Sequence, residues 1–143
     1  MEIRRAKDGE LDEIMALVTS TFAEQDIPAD ILYFSPEEDP RWWVAVEDGR
    51  IVGTMAAFTE EGATHLGRFT VDRSMRGRHI GTQIILRVID DLFAEGTESL
   101  YGFARDTSIH ILVKHGAVTI GEPEPFYIGN ATHFELLREN YHR

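Results

Sequence analysis

The sequence predicts one α/β (α+β) domain over residues 1–143, with a mixed sheet and helices on its faces. Three observations predict it. Apolar residues recur at helical spacing in three separate segments, with strand-like runs between them. The elements follow the order β-α-α-β-β-β-α-β-α-β-β, which mixes neighbouring strands with helical crossovers. No repeat, low-complexity tract or linker divides the chain, and its 143 residues suffice for one core.

The run EIRRA reads as a first strand. DGELDEIMALVTSTFAEQ reads as a helix with Leu11, Ile14, Met15, Leu17 and Val18 on one stripe, and Asp8 is placed to cap it. Pro28, Pro36 and Pro40 then break the chain into a long loop holding a short helix. RWWVAVEDGRIVGTMAAFTEEG reads as two strands joined by a tight turn at Asp48-Gly49. ATHLGRFTVD is a further strand, whose alternation puts His65, Gly67, Phe69 and Val71 on one face. A helix follows, with Ile84, Ile85, Val88, Ile89, Leu92 and Phe93 as its buried face and Gly96 as its stop. TESLYGFA is a strand, and RDTSIHILVKHGA is a shorter helix capped near Asp106 or Thr107 and ended at Gly116. The remainder reads as a closing strand pair.

Charge excludes whole classes of partner. There are 25 acidic residues against 14 basic ones, a formal net charge of −11. Such a chain repels polyanions, so nucleic acid is not an expected partner. Plain solubility or a cationic amine substrate both accord with that field. No apolar stretch approaches the roughly 18–20 residues of a membrane span, so no membrane is expected. The absence of cysteine rules out disulfides, thiolate metal sites and cysteine nucleophiles, and accords with a cytoplasmic location. No metal site is expected.

Against this acidic background, RSMRGRHIG at residues 73–81 crowds Arg73, Arg76, Arg78 and His79 between a strand and a helix. The first N–H groups of a helix lack helical partners and sit at the positive end of its dipole. With Gly77 and Gly81 allowing close approach, the loop suits a diphosphate or, equally, a merely solvated turn. Neither a Gly-Lys-Ser/Thr phosphate loop nor a Gly-x-Gly-x-x-Gly dinucleotide pattern is present.

The stretch LGRFTVDRSMRGRHIGTQIILRVID resembles the central motif of the GNAT superfamily of acyl-CoA-dependent N-acyltransferases. That family carries Gln/Arg-x-x-Gly-x-Gly/Ala after a strand ending in an apolar residue five positions earlier. Arg76, Gly77, Arg78, His79, Ile80 and Gly81 fill the six positions, and Val71 stands five before Arg76. The element order also matches the family along nearly the whole chain. The resemblance implies a mostly antiparallel central sheet and acetyl-CoA, or another acyl-CoA, as cofactor. By the same resemblance the loop from Arg76 to Thr82 holds the pyrophosphate, and Phe69, Thr70 and Val71 line the pantetheine arm. Ser108, at the small-residue position of the following helix, joins that cofactor-binding set. One departure is His79, which stands where the family has glycine, and a left-handed backbone is unfavourable for histidine.

A second departure concerns the chemistry. In many members of the family, a tyrosine on the helix after the fifth strand donates a proton to the leaving thiolate. Anchored on Gly116, Leu112 occupies that position here. Leucine donates nothing, so a general acid is not identified. His65, on the strand before the loop, is the candidate catalytic base. The acceptor is expected to be a small-molecule or peptide amine. The loop AEQDIPADILYFSPEEDPRWW is its expected wall, offering Glu24, Asp26, Asp30, Glu37, Glu38 and Asp39 among aromatic side chains. LGRFTV with GEPEPFYIGNATHFELL is loosely similar to a bacterial branch of the family, matching at Gly67, Arg68, Gly121, Glu122 and His133. The alternative to an N-acyltransferase is an acyl-CoA-binding sensor without turnover. The closing strands also offer a place for two subunits to pair as a homodimer.

Overall fold

A computed structural model describes residues 1–143. Seven strands form one sheet: β1 (Glu2–Arg5), β2 (Arg41–Glu47), β3 (Arg50–Glu60), β4 (Ala63–Val71), β5 (Ser99–Arg105), β6 (Val118–Pro125) and β7 (Asn130–Leu137). Their order is β1-β2-β3-β4-β5-β7-β6. Every neighbouring pair is antiparallel except β4 and β5, which run parallel. Three α-helices cover the sheet: α1 (Leu11–Ala23), α2 (Ile80–Ala94) and α3 (Asp106–Lys114).

The sheet separates two cores. Ile14, Met15 and Val18 of α1 pack on Val44, Ile51 and Ala56 on one face. Ile84, Ile85, Val88 and Leu92 of α2 pack on the other, with Ile109 and Leu112 of α3 extending that layer. The period read from the sequence therefore places α1 opposite α2 and α3. The Asp48-Gly49 turn takes φ of +51° and +75°, as a two-residue hairpin with matching strand twist requires. β6 is exposed along its whole length and forms the outer edge of the sheet.

Details differ from the sequence reading. The short helix of the proline-rich loop is realised as two 3-10 turns, Ala29–Leu32 and Pro36–Glu38. Pro28 and Pro36 each stand at the start of one turn, and prolines this close together leave no room for a longer helix. Asp8 does not cap α1, because Gly9 turns the chain at φ +89° and the helix begins only at Leu11. Instead Glu10 occupies the cap position, and its carboxylate accepts from the Lys7 N–H at 2.7 Å. α3 likewise starts without a side-chain cap.

Two irregularities shape the middle of the sheet. The ladder between β3 and β4 slips between Thr54 and Ala56, where Arg68 takes φ +55°. This bulge adds one residue and reverses the alternation beyond it. His65 and Gly67 consequently face the α1 side, while Phe69 and Val71 face α2. The expectation that these four residues share one face is corrected by that single extra residue. The second irregularity is a fork: β4 and β5 pair only at His65–Tyr101 and Leu66–Gly102, although each continues for several residues.

Candidate functional site

The fork leaves two facing strand edges without strand partners. The inner edges of β4 from Gly67 onward and of β5 from Phe103 onward present N–H and C=O groups to the gap between them. Such an edge binds extended, amide-containing chains by continuing the ladder. A cleft of about 1290 Å³ follows this gap. At one end it meets the start of α2, and at the other it opens between the proline-rich loop and the β6–β7 connection.

The α2 end has the backbone geometry of an anion site. From Gly77 to Thr82 no backbone N–H donates within the chain, and the first helical bond is Gln83 N–H to the His79 carbonyl at 3.3 Å. Gly77 takes φ +83° and His79 φ +60°, ψ +19°. His79 thus adopts the left-handed conformation that suits glycine. A left-handed residue leading into a right-handed helix makes successive N–H groups converge, which forms an anion-binding concavity. Ile80 anchors the loop by burying its side chain, and Asp72 fixes the preceding turn by accepting from the Ser74 N–H and hydroxyl. Those contacts, the Ser74 hydroxyl foremost, hold the Asp72 carboxyl below its ordinary range.

The missing side chain of Gly81 matters for packing. A Cβ there would come within 2.8 Å of Phe69 Cζ, so the missing side chain lets α2 settle against β4. The arginines of the island are partly engaged: Arg76 and Arg73 each bond the Glu24 carboxylate, at 3.1 and 2.8 Å. Those two contacts, Arg76 foremost, lower the Glu24 pKa. Arg76 also donates to the Val71 carbonyl at 3.1 Å. Arg78 reaches Met75 Sδ at 3.2 Å.

Most residues proposed from the sequence line this cleft: His65, Phe69, Thr70, Val71, Arg76, Gly77, His79, Ile80, Gly81, Thr82 and Ser108. Arg78 is exposed on the loop beside it. Thr70 contributes only backbone, because its buried hydroxyl shares a 2.7 Å hydrogen bond with that of Thr54. Ser108 is also buried. His65 lies half-buried on the α1 side, its ring 5.7 Å from Phe58 and 5.8 Å from Tyr101. Leu112 is 1% exposed and packs in the core beneath the cleft, so no hydroxyl reaches the gap from that position.

The far end of the cleft differs from expectation. Of the six acids in the loop from Glu24 to Asp39, only Glu24 lines it, and Glu24 is committed to arginines. Trp42 and Trp43 are buried in the core. The loop contributes its apolar side, Ile27, Ile31 and Leu32, beside Phe22 of α1. The sequence did not point to the opposite wall, which comes from Phe103, Arg105, Phe126 and His133. Arg105 ties the β6–β7 connection in place through the Phe126 and Ile128 carbonyls. His133 stacks on Phe103 at 4.4 Å and pairs with Glu124 at 3.4 Å.

A strand fork running into an amide-lined helix start fits an acyl-CoA, whose arm carries amides and whose far end carries a diphosphate. The model of the acetyltransferase (GNAT) family matches residues 11–116. The chain belongs to that family. Solved structures with the same GNAT fold include Escherichia coli ElaA, with a TM-score of 0.80 and 16% identity over 95% of this chain and 99% of that one. An acyl-CoA N-acyltransferase from Pseudomonas aeruginosa gives 0.79 and 18%, over 95% and 99%. A ribosomal-protein-alanine N-acetyltransferase from Brucella melitensis gives 0.72 and 17%, over 96% and 99%. No functionally curated protein sequence matches this GNAT chain. No helix in it is long and apolar enough to cross a membrane.

Proposed function

We propose that this GNAT domain transfers an acyl group, acetyl in the first instance, from acyl-CoA to the primary amine of a small molecule or peptide. The observation that carries the proposal is the fork between β4 and β5 leading into the unpartnered amides from Gly77 to Thr82. A bound acyl-CoA supplies a thioester carbonyl that an amine attacks, with a thiolate as leaving group. The amides from Gly77 to Thr82 hold the diphosphate, and the inner edge of β4 from Gly67 to Val71 holds the arm in line. His65, in the wall of the cleft, accepts the proton that the amine must lose. With Leu112 in the tyrosine position, the chain offers no acid there, and the thiolate takes its proton from water. The chain has no cysteine to carry an acyl group, so the amine attacks directly.

Calorimetric titration with acetyl-CoA, free coenzyme A and a longer-chain acyl-CoA, followed by an amine screen, tests this reading. Binding with turnover supports it, and no binding to any of the three refutes it. The buried Leu112 favours one second reading, a domain that binds acyl-CoA as a sensor. That reading requires binding without turnover on any amine.

A further inference from the structure

The acceptor end of the cleft contains a cation without an anion. Arg68 stands at the β-bulge of β4, where its backbone takes φ +55°. A non-glycine residue in that conformation is strained, and such outliers concentrate at functional sites. The bulge aims the Arg68 side chain to the α1 side, across the sheet from Phe69 and Val71. There its guanidinium lies 4.2 Å from the Phe34 ring centre and 5.6 Å from that of Phe58. Nε donates to the Leu32 carbonyl at 2.9 Å, and Nη2 approaches the Ile31 carbonyl at 3.4 Å. Both bonds use the Nε–Nη2 edge. The end-on edge, formed by Nη1 and the second hydrogen of Nη2, has no partner in the chain, and Arg68 lines the cleft.

No carboxylate pairs with this group. Glu38 and Glu60 act on it only through space, and burial, the largest influence, lowers its pKa. A partly buried charge is costly unless it is paired, and a free guanidinium edge matches the two oxygens of a carboxylate. His65 stands beside the same aromatic ring, 5.7 Å from Phe58. Phe58 therefore neighbours both the candidate base and the unpaired arginine. Of the acids that line the cleft, Glu24 is committed to Arg73 and Arg76, and neither Glu60 nor Asp106 pairs with Arg68.

We propose that Arg68 is the specificity determinant of the acceptor site, and that the acceptor is an amine bearing a carboxylate, such as an amino acid or a short peptide. The inference rests on the acyl-transfer reading above. The carboxylate occupies the end-on edge of Arg68 while the amine points toward the fork and His65.

The test uses matched acceptors: amino acids and dipeptides with a free carboxylate, each beside its carboxamide. The wild-type protein and Arg68→Gln are compared by kcat/KM with acetyl-CoA. The same pairs are titrated calorimetrically into protein saturated with coenzyme A. The wild type is expected to favour the carboxylate members by about tenfold or more, the scale of a charge-assisted contact. Arg68→Gln should reduce that preference to near unity by losing activity on the acids alone. A purely structural strut would lower both members of each pair equally, and that result overturns the proposal. So does a wild-type preference for the carboxamides, or equal binding of both members where nothing is turned over. Failure of coenzyme A itself to bind would instead refute the acyl-transfer reading, and the matched titrations on the unliganded protein would still read Arg68.

Discussion

Replacing His79 by glycine separates what the loop before α2 does with its backbone from what it does with a side chain. His79 holds φ +60°, ψ +19° at the start of α2. An L-residue in that region costs roughly 1–2 kcal/mol, which glycine avoids. Glycine in turn adds about 0.4–1 kcal/mol of chain entropy to the unfolded state. The net expectation for His79→Gly is a gain of roughly 0.5–1 kcal/mol. For a chain of this size that amounts to an increase of about 1–4 °C in Tm. Coenzyme A affinity should stay within about threefold, because the converging amides survive and only their rigidity is relaxed. Differential scanning calorimetry reads the first quantity and isothermal titration the second. A tenfold loss of affinity would refute the reasoning, since it would mean that the imidazole itself contacts the ligand. A fall in Tm would show that the histidine makes stabilising contacts outweighing its strained backbone.

Thr82→Glu should abolish coenzyme A binding by placing a carboxylate among the diphosphate-facing amides. The fold should survive, because an acidic residue in the first turn of a helix is worth about 0.3–1 kcal/mol; circular dichroism and calorimetry check both halves. Gly81 is a less clean site, as any Cβ there meets Phe69. Glu24→Gln frees Arg73 and Arg76 and should tighten coenzyme A binding by about two- to fivefold at low ionic strength, the scale of an exposed ion pair. Unchanged affinity would separate those arginines from the phosphate site. At the far end of the sheet, the Arg4 side chain, foremost, and the Lys7 N–H lower the Glu10 pKa from 4.5 to about 2. Its folded-state pKa lies below its unfolded value, so this stabilisation is complete above about pH 4.5 and fades as pH falls toward 2. Glu10→Gln should therefore cost about 1 kcal/mol at pH 7 after solvent screening. That difference from wild type should shrink toward zero near pH 2 in denaturant titrations.

Much of the architecture was legible because local chemistry and tertiary packing agree along most of the chain. The stripe from Ile84 to Phe93 faces the sheet, and Asp48-Gly49 makes the hairpin turn. The loop from Arg76 to Thr82 was legible as a turn between a strand and a helix, and Gly77 takes the left-handed backbone that its residue type permits. The bulge at Arg68 was hidden. Arginine gives no sequence sign of a left-handed backbone, and a single inserted residue reverses every side chain after it. His79 was misleading in the other direction, since it takes the conformation its residue type disfavours. The acids between Glu24 and Asp39 looked like a lining. Their placement depends on how 3-10 turns fold back over α1, which no periodicity encodes. Phe103, Arg105 and His133 were missed because the opposite wall comes from elements distant in sequence.

The fork in the sheet also bears on how the molecule holds together. β1 to β4 with α1 form one half, and β5, β7 and β6 with α3 form the other. Between them run two residue pairs of parallel ladder and the shared core under α2. An extended ligand lying in the gap would supply the missing rungs and splice two half-sheets into one. Recognition of such a ligand and cohesion of the fold would then be a single event.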